Sequence, residues 1–170
     1  MKIKSLLFAI LTIGLFHLAV AQDYSNLEKL QLNSKADYEK AEGQALECSN
    51  YLLNSPVKMV LKDLNHLYAL QFLMKWMGGT PDYTFDIDKT ITEITKSKSD
   101  LLGIYMAAMT KYVLENKDSS HDADAIKYNA FMTFITYCEN ENNNVKQNKQ
   151  LKELIKAKDE NRLKAYLNIN

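Results

Sequence analysis

The sequence predicts an all-α fold: a compact bundle or short array of helical hairpins, with about four long helices, several short ones and no significant β-sheet. Three observations predict it. After position 21 the chain has only four glycines (Gly43, Gly78, Gly79, Gly103) and two prolines (Pro56, Pro81), too few turn residues for an all-β chain. These breakers fall between segments whose apolar residues recur every three or four positions. The 149 residues that follow position 21 also suit one domain that buries a core unaided.

Residues 22–33 carry no strong pattern and read as an extended or loosely held lead-in. A first helix is expected from Ser34 to Asn54, with Ser34 as N-cap and Asp37 three residues on. Its apolar face is Ala36, Ala41, Ala45, Cys48 and Leu52, and Pro56 ends it. A second spans Leu61 to Met77, with Leu67, Leu70, Met74 and Met77 on one side and Tyr68, Phe72 and Trp76 on another. Apolar on more than half its circumference, it is expected at the centre of the domain. Gly78-Gly79-Thr80-Pro81 stops it, and Tyr83 to Ile87 alternates as an extended run. A short helix follows from Thr90 to Lys96.

The third long helix is expected from Ser99 to Asn116, on a face of Leu102, Tyr105, Met109 and Tyr112. Gly103 and Ala107 leave room for a close neighbour. The fourth covers Asp122 to Glu139, with stripes Ile126/Ala130/Phe134/Tyr137 and Tyr128/Phe131/Ile135/Cys138. Residues 139–148 are a polar loop, and two short helices, Leu151–Lys156 and Arg162–Leu167, close the chain. The register slips between Ile155 and Leu163, which predicts a break there. Leu102-Gly103 and the aromatic faces invite a tetratricopeptide comparison, but no 34-residue period recurs.

The first 21 residues have the parts of a cleavable secretory signal. Lys2 and Lys4 precede an apolar stretch from Leu6 to Phe16, and Ala19-Val20-Ala21 places small residues at a cleavage site. The stretch is shorter than the roughly 20 residues of a membrane span. The expected product, residues 22–170, is one periplasmic or secreted domain without a span. Gln22 rather than cysteine would begin it, so no lipid anchor is indicated. Lys, Asn and Ile are abundant, as in a bacterium with an AT-rich genome, and the single arginine is Arg162. Without Lys2 and Lys4 the chain keeps 19 basic against 21 acidic residues, a net charge of −2. A nucleic-acid partner is not expected, since no basic surplus exists to meet phosphates.

Candidate chemistry is sparse. Cys48 and Cys138 are either a disulfide or two separate buried thiols. A bridge would close 91 residues and stabilise by roughly 4–5 kcal/mol in the chain-entropy model. No Gly-x-Ser-x-Gly elbow accompanies His66 or His121, and no histidine pair has zinc-site spacing. Asp118 to Asp124 holds oxygen and nitrogen ligands but reads as a loop capping a helix through Ser120 or Asp122. Asp82, Asp86, Asp88, Thr90 and Glu93 have the spacing of an EF-hand calcium loop, yet Ile87 replaces the glycine that makes its turn. No catalytic residue, metal or other cofactor is therefore assigned.

The candidate binding surface is WMGGTPDYTF, carried by Trp76, Gly78, Gly79, Thr80, Pro81, Asp82, Tyr83 and Phe85. It holds the only tryptophan, and its aromatics bracket a stiff, sharply turned backbone, a pattern suited to partner recognition. The competing reading caps the helix and folds Tyr83 and Phe85 back over the core. The expected function is an exported helical binding domain for an unidentified protein or small ligand of the envelope. The alternative is a hydrolase of cell-envelope or extracellular polymers using carboxylates the sequence does not single out.

Overall fold

The computed structural model describes residues 23–57, 63–96 and 99–169. The expected leader, residues 1–21, and the start of the second expected helix at Leu61 lie outside them. Among the described residues there are eight α-helices and no strand: α1 (Lys35–Lys40), α2 (Glu42–Asn54), α3 (Leu64–Gly79), α4 (Lys89–Thr95), α5 (Ser99–Glu115), α6 (Ala123–Glu139), α7 (Lys149–Asp159) and α8 (Leu163–Tyr166). None is long and apolar enough to cross a membrane.

Side-chain acceptors start most of these helices. The Asp37 carboxylate takes the Ser34 N–H at 2.9 Å and its hydroxyl at 2.8 Å, closing the reciprocal cap expected of that pair. Asp63, Asp88, Asp122 and Asn148 each accept a backbone N–H in the first turn of α3, α4, α6 and α7. Each satisfies a donor that a helix N-terminus otherwise leaves unpaired.

The centre of the domain is α5, where the sequence places the second helix. From Leu101 to Leu114 no residue of α5 is exposed, and it packs against α2, α6, α4 and α3. Its small residues explain the change. A Cβ on Gly103 would lie 2.8 Å from Leu70 Cδ1, and Ala107 and Ala108 are buried, so neighbours close in. The apolar surplus of α3 is only partly used. His66, Ala69, Phe72, Leu73, Trp76 and Met77 are buried, while Leu64, Leu67 and Met74 are 66%, 38% and 53% exposed.

Four other expectations need correction. The first helix breaks at Ala41 (φ −87°, ψ 0°), beside the Tyr38 carbonyl that accepts the Trp76 indole N–H at 3.1 Å; Ala36 faces solvent. The lead-in is not loose. Ser25–Lys29 forms a 3-10 turn against α3, Tyr24 and Leu32 are buried, and the Tyr24 N–H donates to Asn65 Oδ1 at 3.2 Å. The segment Gly78 to Pro81 stops α3 as expected, but not through a left-handed glycine: both glycines are helical and Thr80 is the C-cap. The polar loop contains a 3-10 turn, Glu141–Asn143, with Asn143 buried. The break near the C-terminus stands as expected, with Asn161 at φ 55° between α7 and α8.

Glycine at position 79 answers a contact: a Cβ there would collide with the Tyr38 hydroxyl, whereas nothing approaches Gly78 within 4 Å. Gly79→Ala is therefore expected to be the less favourable of the two, since the Tyr38 ring must shift to admit the methyl, and Gly78→Ala to stabilise by up to about 1 kcal/mol through helix propensity. Chemical denaturation of the two variants measures this, and equal effects would contradict the packing.

His66 is 2% exposed and its Nδ1 has no hydrogen-bond partner among the described residues. Burial lowers its pKa, against the opposing pull of Asp63 and Asp100. The unfolded chain then binds a proton near pH 6.5, where the folded chain does not. Stability is expected to be full above about pH 6.5 and to fall as pH drops below it. His66→Gln should flatten that slope in urea melts between pH 7.5 and 5.5; an unchanged slope would exclude His66 as its source.

Candidate functional site

The segment from Trp76 to Phe85 folds mainly inward. Trp76 is fully buried and donates its indole N–H to Tyr38. Beyond Thr80 the chain cannot continue the helix through Pro81; it bends at Pro81 and Asp82 and stays outside any helix up to Asp88. Tyr83 and Phe85 lie half-buried on this strap, with ring centroids 5.7 Å and 6.1 Å from Trp76 and 6.4 Å from each other. Gly79 receives Tyr38, Thr80 caps α3, and Asp82 pairs with Lys35. Gly78 and Pro81 are exposed. Most of the expected binding surface thus anchors the strap.

Tyr83 also pins the strap from its outer edge. Its hydroxyl donates to Glu42 Oε1 at 2.6 Å and accepts from Lys117, while Lys117 pairs with Glu42 at 2.7 Å. Burial and the Glu42 carboxylate raise the Tyr83 pKa, with Lys117 opposing. Burial works against the Lys117 charge, but Glu42 and Tyr83 outweigh it and raise that pKa as well. The His121 ring lies nearly parallel to Tyr83, 18° between planes and 6.4 Å between centroids.

Beside this cluster lies a cleft of about 230 Å³. The strap supplies Thr84 and Asp86, the connection before α6 supplies Ser120 and His121, and α6 supplies Asp124 and Lys127. Met109, Ala123 and Ile126 complete the lining. Two segments considered separately in the sequence, 82–93 and 118–124, therefore meet across one opening. They do so without making a metal centre: among the described residues no three His, Cys, Asp or Glu side chains are grouped to hold an ion.

The polar groups of the cleft differ in how far they are committed. Lys127 is held by Asp88 Oδ2 at 2.7 Å and donates to the Leu167 carbonyl at 2.7 Å. The Ser120 hydroxyl donates to the Lys117 carbonyl at 2.8 Å. Asp86 and Asp124 have neither an ion pair nor a side-chain hydrogen bond among the described residues. Both are exposed, so neither has the apolar burial that sets one carboxyl of a catalytic pair apart as the acid. Thr84, Asp86 and Asp124 were not among the residues expected at the site. Only their convergence marks them, and 38 positions separate Asp86 from Asp124.

No disulfide joins Cys48 to Cys138; both are buried, and burial pushes the Cys48 thiol up to about 12, far from a reactive thiolate. No protein family, curated protein or solved structure matches this chain.

The half-buried aromatics of the strap are expected to stabilise the domain. Phe85→Ala should cost about 2–3 kcal/mol, in the lower range for truncating a packed aromatic. Tyr83→Phe should cost about 1 kcal/mol, because Glu42 and Lys117 still pair without the hydroxyl. Thermal and urea melts test both, and a neutral Phe85→Ala would return that ring to the list of contact residues.

Proposed function

We propose that this chain is an exported binding domain that receives a cationic group in the cleft between the strap and α6. The uncommitted carboxylates of Asp86 and Asp124 carry the reading. The lysine of the cleft is already held by Asp88, so the opening keeps a negative balance that an amine would neutralise. A volume of about 230 Å³ falls below the 300–1,000 Å³ typical of drug-sized ligands. It suits a side chain or a small amine. Export is supported by the form of residues 1–21.

A hydrolase is the second reading, favoured by two carboxylates lining one cleft as glycoside hydrolysis requires. Their exposure weighs against it. Calorimetric titration of the purified chain with lysine amide, n-butylamine and spermidine should reveal binding that weakens with salt. Asp86→Asn with Asp124→Asn should reduce affinity about tenfold or more, roughly 1.4 kcal/mol, with helical circular dichroism unchanged. Equal affinity in the folded double variant would overturn the proposal. Turnover of a cell-wall polysaccharide abolished by either single change would establish the hydrolase instead.

A further inference from the structure

A second groove, of about 390 Å³, opens where the end of α2 meets the last turns of α6 and the Glu141–Asn143 turn. A quarter of the chain is charged, yet no charged side chain lines this groove. Its walls carry amides from Asn54, Asn140 and Asn143 and hydroxyls from Thr133 and Thr136, over the apolar side chains of Leu53 and Met132. Tyr137 closes one side, buried, with its hydroxyl donating to the Ser55 carbonyl at 2.7 Å.

Each amide is anchored at one end. Asn54 Nδ2 donates to the Asn50 carbonyl at 2.8 Å, the i−4 position of its own helix. Asn143 Nδ2 donates to the Tyr137 carbonyl at 2.9 Å, and Asn140 Oδ1 accepts the Asn142 N–H at 3.1 Å. The Thr136 hydroxyl is donated to the Met132 carbonyl at 3.0 Å. What stays unspent is the Oδ1 acceptor and one N–H each on Asn54 and Asn143, both Nδ2 donors of Asn140, and the Thr133 hydroxyl, which both donates and accepts. The three amides are already held, so a ligand orders little of their side chains on binding.

A charged ligand would lose water here without a counter-charge, and a purely apolar one would leave the amides unpaired. A peptide group offers one donor and one acceptor at fixed spacing, whereas the groove spreads its remaining donors and acceptors over Asn54, Thr133, Asn140 and Asn143. Hydroxyls that donate or accept singly fit the scattered remainder, with Leu53 and Met132 available to the C–H face of a ring; Met adapts readily to such shapes. We propose that this groove is a binding subsite for an uncharged saccharide, independent of the cationic cleft.

The test is side-chain amide NMR and titration of the purified chain with three neutral trisaccharides: maltotriose, cellotriose and the N-acetylglucosamine trimer. At least one should shift the Asn54, Asn140 and Asn143 amide signals. Asn140→Asp keeps the bond to the Asn142 N–H but replaces both amide donors with a charged, accepting oxygen, and Thr133→Val removes only the free hydroxyl. Each should weaken that binding about tenfold, the equivalent of roughly 1.4 kcal/mol, and Asp86→Asn should not. The proposal is overturned if no neutral trisaccharide shifts these signals. It is equally overturned if a galacturonate trimer or an end-blocked tripeptide shifts them as strongly, or if neither variant weakens binding.

Discussion

Between Leu101 and Leu114, α5 offers water no exposed side chain, so it is stable only when other elements enclose it. Tyr105 shows the consequence: its ring is buried against Phe131 at 4.8 Å and edge-on to Phe134 at 6.0 Å, both from α6. On another side Leu70 of α3 occupies the space that Gly103 leaves open. Small residues at Gly103, Ala107 and Ala108 let helices approach, and larger ones elsewhere fill the space between them. This is the usual division of labour in a close-packed core.

Enclosing α5 leaves the connections to settle at the rim, and their polar anchors shape both openings. Lys127 gathers the cap of α4 and the end of α8 through Asp88 and the Leu167 carbonyl. Asn148 starts α7 while its side-chain N–H donates to the Ile94 carbonyl at 2.8 Å. The strap after α3 is pinned at Trp76 on the inside and by Glu42 and Lys117 at its edge. A rigid strap matters for recognition because a wall already ordered costs little entropy when a ligand arrives.

The two openings differ in the way their polar groups are spent. In the cleft beside the strap, lysine is consumed by the fold and carboxylates are left over. In the groove at the end of α2, no charge is present and each amide has one end engaged. The same economy, satisfying backbone groups first, leaves opposite remainders at the two places. Ligand class follows from the remainder rather than from the residue types present.

The fold class was legible in the sequence because period and punctuation are local. Ser34 with Asp37, the cap at Asp122, the helix stop before Pro81 and the break before Leu163 depend on residues within one or two turns. Which helix lies at the centre was not legible, since α3 is the more uniformly apolar and only packing shows Leu64, Leu67 and Met74 left outside. The WMGGTPDYTF segment stood out by composition, yet the Tyr38 carbonyl of α1 and the Glu42 carboxylate of α2 decided that Trp76 and Tyr83 anchor it. Asp86 and Asp124 became neighbours through the return of α6 past the strap. Such long-range convergence leaves no periodic trace, because it depends on how helices pack across the core and not on their own repeat.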